Sequence, residues 1–460
     1  MLTHGEGMPR SVTPDPSHSS RPPYSVLVST HDDTDDYGFD TRQVHAGEVD
    51  ERNHGARITP IYLTAAYRFD SFAQAEDRFT GAEAGQLYSR NLNPTHEVAE
   101  RRIASLEGGT GAIVVGSGQA AITALLLGLA GAGERLVSTA SIYSGTRILF
   151  DRTFARLGVT TDYVRDPADE AEWERLITPQ TKAIFVETIP NPKNDLVDVA
   201  AVARIARRHT IPLIVDNTVA TPYLIRPLEH GADVVVHSST KFLTGHGAAL
   251  SGVIVDGGRF DWAGSSRAYP GLTAPIAPGR PSLVDSHGER ALEAYLRFGI
   301  VNDLGAALSP VNSFLLQQGI ETLSLRMAKH LENAAVVASW LDAHPAVESV
   351  DFAGLASSPY HRIAQERFGG HAGSVFAFTV RGGRPAAERF FDRLRLISRM
   401  TNIGDVRSMA LHPATTTHVS FSPEERARLG IGDGLIRLSI GIETASDLLA
   451  DLDRALSAAT

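Results

Sequence analysis

Cysteine is absent from all 460 residues. That excludes disulfides, thiolate metal ligands and a cysteine nucleophile, and it fits a reducing cytoplasm. No run of about 18 uninterrupted apolar residues occurs. The longest apolar region, Ala120 to Ala132, is broken by Thr123 and by glycines, so no membrane-spanning helix and no membrane partner are expected. Basic charge is also short: 43 Lys and Arg stand against 53 Asp and Glu, a net charge of −10. Non-specific nucleic-acid binding is therefore not expected. No basic segment followed by an apolar core opens the chain, so no secretory signal is read there. Instead Ser, Pro, His and Asp dominate from Thr3 to Asp36, and residues 1–38 read as a disordered tail.

What is present is the composition of a globular enzyme-sized chain, with 43% apolar and 21% charged residues and length for roughly two to four domains. Past Arg101, short apolar runs alternate with amphipathic stretches. Ala112–Val115, Arg135–Ser138, Ala183–Glu187, Pro212–Asp216 and Asp233–His237 read as strands, and Gln119–Leu129 and Val199–Arg208 as helices. Such alternation predicts an α/β fold with a mostly parallel sheet flanked by helices. Residues 257–288, rich in Gly, Pro and Ser, read as a long surface loop. Ser309–Ala343 reads as strongly helical, with its N-cap and first-turn proline at Ser309 and Pro310. Strands at Val375–Val380 and Leu435–Ile440, with helices at Pro385–Leu394 and Ser446–Ser457, predict a smaller C-terminal α+β domain. There is no internal repeat.

Ligands of open parallel sheets bind beyond the carboxyl ends of the strands. Four predicted strand ends carry distinctive groups here: Asp216 in DNT, Lys241 in SSTK, Asn191 in IPNP, and Gly118 and Gln119 opening a helix. One cofactor uses such a set. Pyridoxal 5′-phosphate (PLP) needs a lysine amine, an anion at its ring nitrogen, a phosphate cradle and an aromatic face. Lys241 supplies the amine and Asp216, 25 residues earlier, the anion. Gly118 and Gln119 offer N–H groups at a helix start, Ser238 and Thr240 add hydroxyls, and Tyr143 can stack on the ring. Singly, each has a plainer reading as a turn, cap or packing residue. SSTK also fits the S-x-x-K pattern of penicillin-recognising serine enzymes. That pattern needs its serine to open a helix and needs S-D-N and K-T-G companions, and these are absent.

Longer motifs carry a resemblance: YSRNLNPT, SGQAA, ETIPNP, VDNTVATPYL, HSSTKFLTGHG and IRLSIGIE. Over residues 39–458 the chain resembles the Cys/Met-metabolism family of PLP enzymes, of fold type I. The resemblance implies that Lys241 forms the Schiff base, that Asp216 pairs with the pyridine nitrogen, and that Tyr143 stacks on the ring. It implies phosphate contacts from Gly118, Gln119, Ser238 and Thr240, and from Tyr88 and Arg90 of a neighbouring subunit. Asn191 is implied as a further cofactor contact. With Arg437 it is also implied to hold the substrate carboxylate, which suits a guanidinium's two-point grip. Ser408 is implied as a substrate-binding residue, and Lys241, Tyr143 and Tyr88 as catalytic. No metal is implied.

The block TNIGDVRSMALHPATTTH, the FDW run at residues 260–262 and SPVNSFLLQQGIETLSLRM resemble the O-acetylhomoserine sulfhydrylase branch. The implied reaction is γ-replacement on O-acetyl-L-homoserine by sulfide, giving L-homocysteine and acetate in a cytoplasmic transferase of methionine and cysteine metabolism. Its expected partners are an amino-acid substrate, a small nucleophile and further copies of itself, as a homotetramer of dimers with shared sites. The expected organisation is a tail (1–38), an arm reaching a neighbouring subunit's site (39–105), a PLP-binding domain (106–308) and a C-terminal domain (309–460). Departures from the branch keep other outcomes open. VNDLG has asparagine where arginine is usual, Met400 replaces a small residue, and PIAPGRPSLVDSHG lacks the usual Ser-Tyr-His-Gly run. The alternatives are another thiol or a carbon nucleophile, cystathionine γ-synthase chemistry, γ-elimination and, remotely, a non-catalytic protein on this fold.

Overall fold

The computed structural model describes residue 34 and residues 36–48 and 54–459. Apart from Thr34 and residues 36–38, the segment read as a tail lies outside the described residues. Two sheets form the framework. The first contains β1 (Gly111–Val115), β2 (Arg135–Thr139), β3 (Thr160–Val164), β4 (Thr181–Glu187), β5 (Leu213–Asp216), β6 (Val234–His237) and β7 (Gly252–Asp256). Their order is β1-β7-β6-β5-β4-β2-β3. Every residue of β1, β4, β5, β6 and β7 is buried, as expected of strands covered by helices on both faces. β7 alone runs against its neighbours β1 and β6. The other six strands point one way, so their carboxyl ends share one edge of the sheet.

The second sheet contains β8 (Val347–Asp351), β9 (Val375–Val380), β10 (Ser398–Arg399), β11 (Met409–Leu411) and β12 (Leu435–Ser439), in the order β10-β11-β12-β9-β8. It is antiparallel except between β10 and β11. Helices Leu323–Asp342, Gly383–Arg393 and Ala445–Ser457 pack with it, which is the smaller α+β unit read from the sequence.

Two expectations change in detail. The helical stretch read over 309–343 is divided into two helices, Pro310–Ile320 and Leu323–Asp342. Arg326 explains how the break is tolerated: its guanidinium donates to Gly319 O at 2.6 Å and to Phe242 O at 2.7 Å. These bonds satisfy carbonyls at the helix junction and tie it to the residue after Lys241. The stretch 257–288 is not a plain surface loop. Buried Trp262, Tyr269, Leu272 and Leu283 anchor it, the Tyr269 hydroxyl donates to Lys182 O at 2.8 Å, and it includes short helices Pro270–Thr273 and Leu283–His287. No helix among the described residues is long and apolar enough to cross a membrane.

Candidate active site

A cavity of about 160 Å³ opens at the shared carboxyl edge of the first sheet. Lys241, Asp216, Tyr143, Asn191, Ser238 and Arg437 all line it, and so do Gly118, Gln119 and Thr240. The strand ends read from the sequence therefore meet in one place. A larger cavity of about 480 Å³ adjoins at Asn191, but neither Lys241 nor Asp216 reaches it.

One wall is the start of helix Gly118–Leu129. Ser117 caps it, its hydroxyl accepting from Ala120 N–H at 3.1 Å. The N–H groups of Gly118 and Gln119 have no acceptor within any such helix. Glycine is required at 118 by close approach: a Cβ there would lie 2.6 Å from Ser238 Cβ. Across from it, Ser238 N–H donates to Thr218 Oγ1 at 2.8 Å. The Thr240 hydroxyl is committed to Ser251, donating to its carbonyl and accepting from its N–H, both at 3.0 Å.

Lys241 follows β6 in a tight turn, its carbonyl accepting from Gly245 N–H at 2.7 Å. Burial, reinforced by Arg437, pushes its ammonium down to about 8, into the range where a lysine can give up its proton near neutral pH. Its Nζ donates to Asn402 Oδ1 at 2.5 Å. The chain has only four lysines. Lys182, Lys193 and Lys329 are each ion-paired, to Glu134, Asp351 and Glu332. Among the described residues Lys241 makes no such pair.

Asp216 ends β5 and is 9% exposed. One oxygen accepts Thr218 N–H at 2.9 Å, and burial pushes its carboxyl up. Glu187 ends β4 in register with it and accepts Tyr143 N–H at 2.7 Å, which fixes the backbone that carries the Tyr143 ring. Behind the sheet lies a fully buried cluster: His237 Nε2 and Glu107 Oε1 are 2.7 Å apart, and Asn217 donates to the same oxygen at 2.9 Å.

Arg437 comes from β12 of the second sheet and is 3% exposed. It donates to Asn402 O at 2.9 Å and to Asn191 Oδ1 at 3.5 Å, while its Nε is buried without a partner among the described residues. Burial lowers its guanidinium to about 10. Gly404, at φ +72°, lets the Asn402 loop approach the Lys241 turn, where a Cβ would meet Phe242 N at 2.7 Å. Asn402 and Glu187 are therefore site residues that the sequence reading passed over.

Three expected residues stand elsewhere in this chain. Ser408 is fully buried and does not line the cavity; its hydroxyl donates to Glu443 Oε2 at 2.8 Å and accepts Gly441 N–H at 2.8 Å. Tyr88 and Arg90 also lie off the cavity, with Arg90 over the Tyr88 ring at 5.2 Å and bonded to Asn302 Oδ1 at 3.1 Å.

These features suit PLP. The cavity combines a lysine amine bonded to a neutral amide rather than ion-paired, a buried carboxylate on the next strand, a glycine cradle at a helix start and buried Gln119 Oε1 and Arg437 Nε atoms without partners among the described residues. Comparison with known sequences decides the family, because the profile of the Cys/Met metabolism PLP-dependent enzymes matches residues 40–457. The chain belongs to that family. Among its relatives, the O-acetyl-L-homoserine sulfhydrylase of Corynebacterium glutamicum is 45% identical over 427 residues, 92% of this chain and 98% of its own. The L-methionine gamma-lyase of Pseudomonas putida is 40% identical over 92% of this chain and 98% of its own. A crystal structure of a Campylobacter jejuni protein described as an O-acetylhomoserine (thiol)-lyase, which contains N′-pyridoxyl-lysine-5′-monophosphate, superposes with a TM-score of 0.88. It is 36% identical, covering 92% of this chain and all of its own. Like the family, this enzyme is PLP-dependent and its fold is that of the Campylobacter protein.

Proposed function

We propose that this enzyme catalyses γ-replacement on O-acetyl-L-homoserine by sulfide, producing L-homocysteine and acetate. The observation that carries the reading is one cavity holding Lys241, with its ammonium lowered to about 8, beside a buried guanidinium, Arg437, with an unused Nε. The sulfhydrylase relative at 45% identity supplies the substrate class.

When bound, PLP supplies an electron sink for the charge left at the substrate Cα. The protein does the rest. Arg437 and Asn191 grip the substrate carboxylate, so the Cα proton faces Lys241. Released as a free amine, Lys241 Nζ takes that proton, hands it on to the cofactor and, neutral again, takes one from Cβ, after which acetate leaves Cγ. Sulfide adds at Cγ, and Lys241 returns its proton to Cβ, recovers the first one from the cofactor and restores it to Cα. A flexible lysine stem can serve neighbouring carbons, and a lowered proton affinity keeps both uptake and return accessible. Asp216 would keep the ring nitrogen protonated, Tyr143 would cover the ring, and Gly118, Gln119 and Ser238 would hold the phosphate, joined by Thr240 once its hydroxyl turns from the Ser251 carbonyl.

Tyr88 and Arg90 complete the phosphate site of a neighbouring subunit, which their position off this chain's own cavity supports. The assembly is then at least a dimer with shared sites, and in our reading a homotetramer located in the cytoplasm. Residues 39–105 serve as the arm, 106–308 as the cofactor domain and 309–460 as the C-terminal domain.

A second reading, γ-elimination to 2-oxobutanoate, is favoured by the methionine gamma-lyase relative. Purified holoenzyme given O-acetylhomoserine with sulfide, methanethiol or cysteine separates the two. Homocysteine as the main product with sulfide supports replacement. Accumulation of 2-oxobutanoate without homocysteine sinks it.

A further inference from the structure

Glu187 has no task in the reaction above, yet it is 5% exposed and lines the same cavity. Its register sets it beside Asp216. Neighbouring strands run about 4.8 Å apart, and in-register side chains share a face. Two buried carboxyl groups that close do not both ionise cheaply; one of them keeps the proton.

The surroundings decide which. Asp216 accepts Thr218 N–H at 2.9 Å, and that hydrogen bond is the main influence favouring its charged form. Glu187 accepts one bond, from Tyr143 N–H, and makes no ion pair among the described residues. The other charged groups facing the cavity are Lys241 and Arg437, and both bond to Asn402 or Asn191 instead. Burial first, then the charge of Asp216, push the Glu187 carboxyl well up.

We propose that Glu187 is a neutral carboxylic acid in the resting enzyme, a positioning residue that fixes the Tyr143 backbone and leaves Asp216 the single negative charge at these strand ends. An ionised Glu187 would raise the proton affinity of Asp216 and so discharge the partner that the cofactor ring nitrogen requires. The proposal rests on the cavity being the PLP site, not on which nucleophile reacts there.

The test compares wild-type and Glu187→Gln holoenzyme without substrate. The infrared difference spectrum at neutral pH is expected to contain the C=O band of a protonated carboxylic acid, shifted in deuterium oxide and lost in the variant. Carboxylate bands alone would overturn the proposal. The pH midpoint of the cofactor's visible absorbance is expected to be unchanged, because one neutral group replaces another of the same shape. A fall on the order of one unit would mean that a negative charge had been removed, again overturning it. Glu187→Ala deletes the acceptor of the Tyr143 N–H and should weaken PLP retention by roughly tenfold; unchanged retention would remove the positioning role. If that variant does not fold, the two measurements on Glu187→Gln still decide. An enzyme that passes these tests but makes no homocysteine would refute only the reaction proposed above.

Discussion

Replacing Gly118 by alanine tests the phosphate cradle with one methyl group. The added Cβ would sit 2.6 Å from Ser238 Cβ and 2.8 Å from its Cα, where carbon atoms prefer about 3.5 to 4.0 Å. The helix start or the Ser238 turn must therefore retreat by roughly 1 Å. Overpacking of this kind costs about 1–3 kcal/mol. The retreat also separates the Gly118 and Gln119 N–H groups from the hydroxyl opposite, so a phosphate cannot engage both. Losing one hydrogen bond to a charged group removes about 1.5–3 kcal/mol, which is roughly a tenfold to hundredfold weaker Kd for PLP. Titrating apo-enzyme with PLP by absorbance measures that Kd, and thermal unfolding of the apo-enzyme separates binding from folding. Gly131→Ala is the control, since among the described residues the only atom near its Cβ would be Glu134 Oε2 at 3.7 Å. Retention of wild-type affinity in Gly118→Ala would refute the cradle.

Two further outcomes are expected. Lys241 titrates at about 8 in the folded protein, against roughly 10.4 for an exposed lysine. Between these values the unfolded chain holds a proton that the folded chain has released, so this residue adds stability to the apo-enzyme as pH rises through the window. Lys241→Met should thus be more stable than wild type at pH 7, with a gap that narrows between pH 8 and about 10.4; a pH-independent gap would contradict the burial account. Ser408→Ala strands Gly441 N–H and Glu443 Oε2 and should cost about 1–3 kcal/mol of stability with little change in KM for the amino acid. Unchanged stability with a raised KM would instead assign Ser408 to the substrate.

Strands β4, β5 and β6 were legible because they are continuous apolar runs, buried throughout, whose last residues had to stand at the sheet's edge. Lys241, Asp216 and Asn191 followed from that position, and Gly118 from the helix start after β1. β3, TTDYV, was not legible: it is an edge strand, half polar and only partly buried. Nor was helix Pro94–Glu107, whose charges face inward. Glu100 pairs with Arg297 at 3.0 Å and Glu107 with His237 at 2.7 Å, which hides the apolar stripe that signals a helix. Asn402 lies 161 residues from Lys241 and meets it only once the second sheet docks on the first. Glu187 looked like the last residue of a strand; only the β4–β5 register sets its carboxyl beside another.

The central claim is that Lys241 carries the cofactor, and trapping it tests this directly. Borohydride reduction of the holoenzyme followed by peptide mass mapping should find the pyridoxyl group on the peptide containing Lys241 and on none containing Lys182, Lys193 or Lys329. Reduced cofactor on any of those three, or no covalent label on Lys241, would contradict the account.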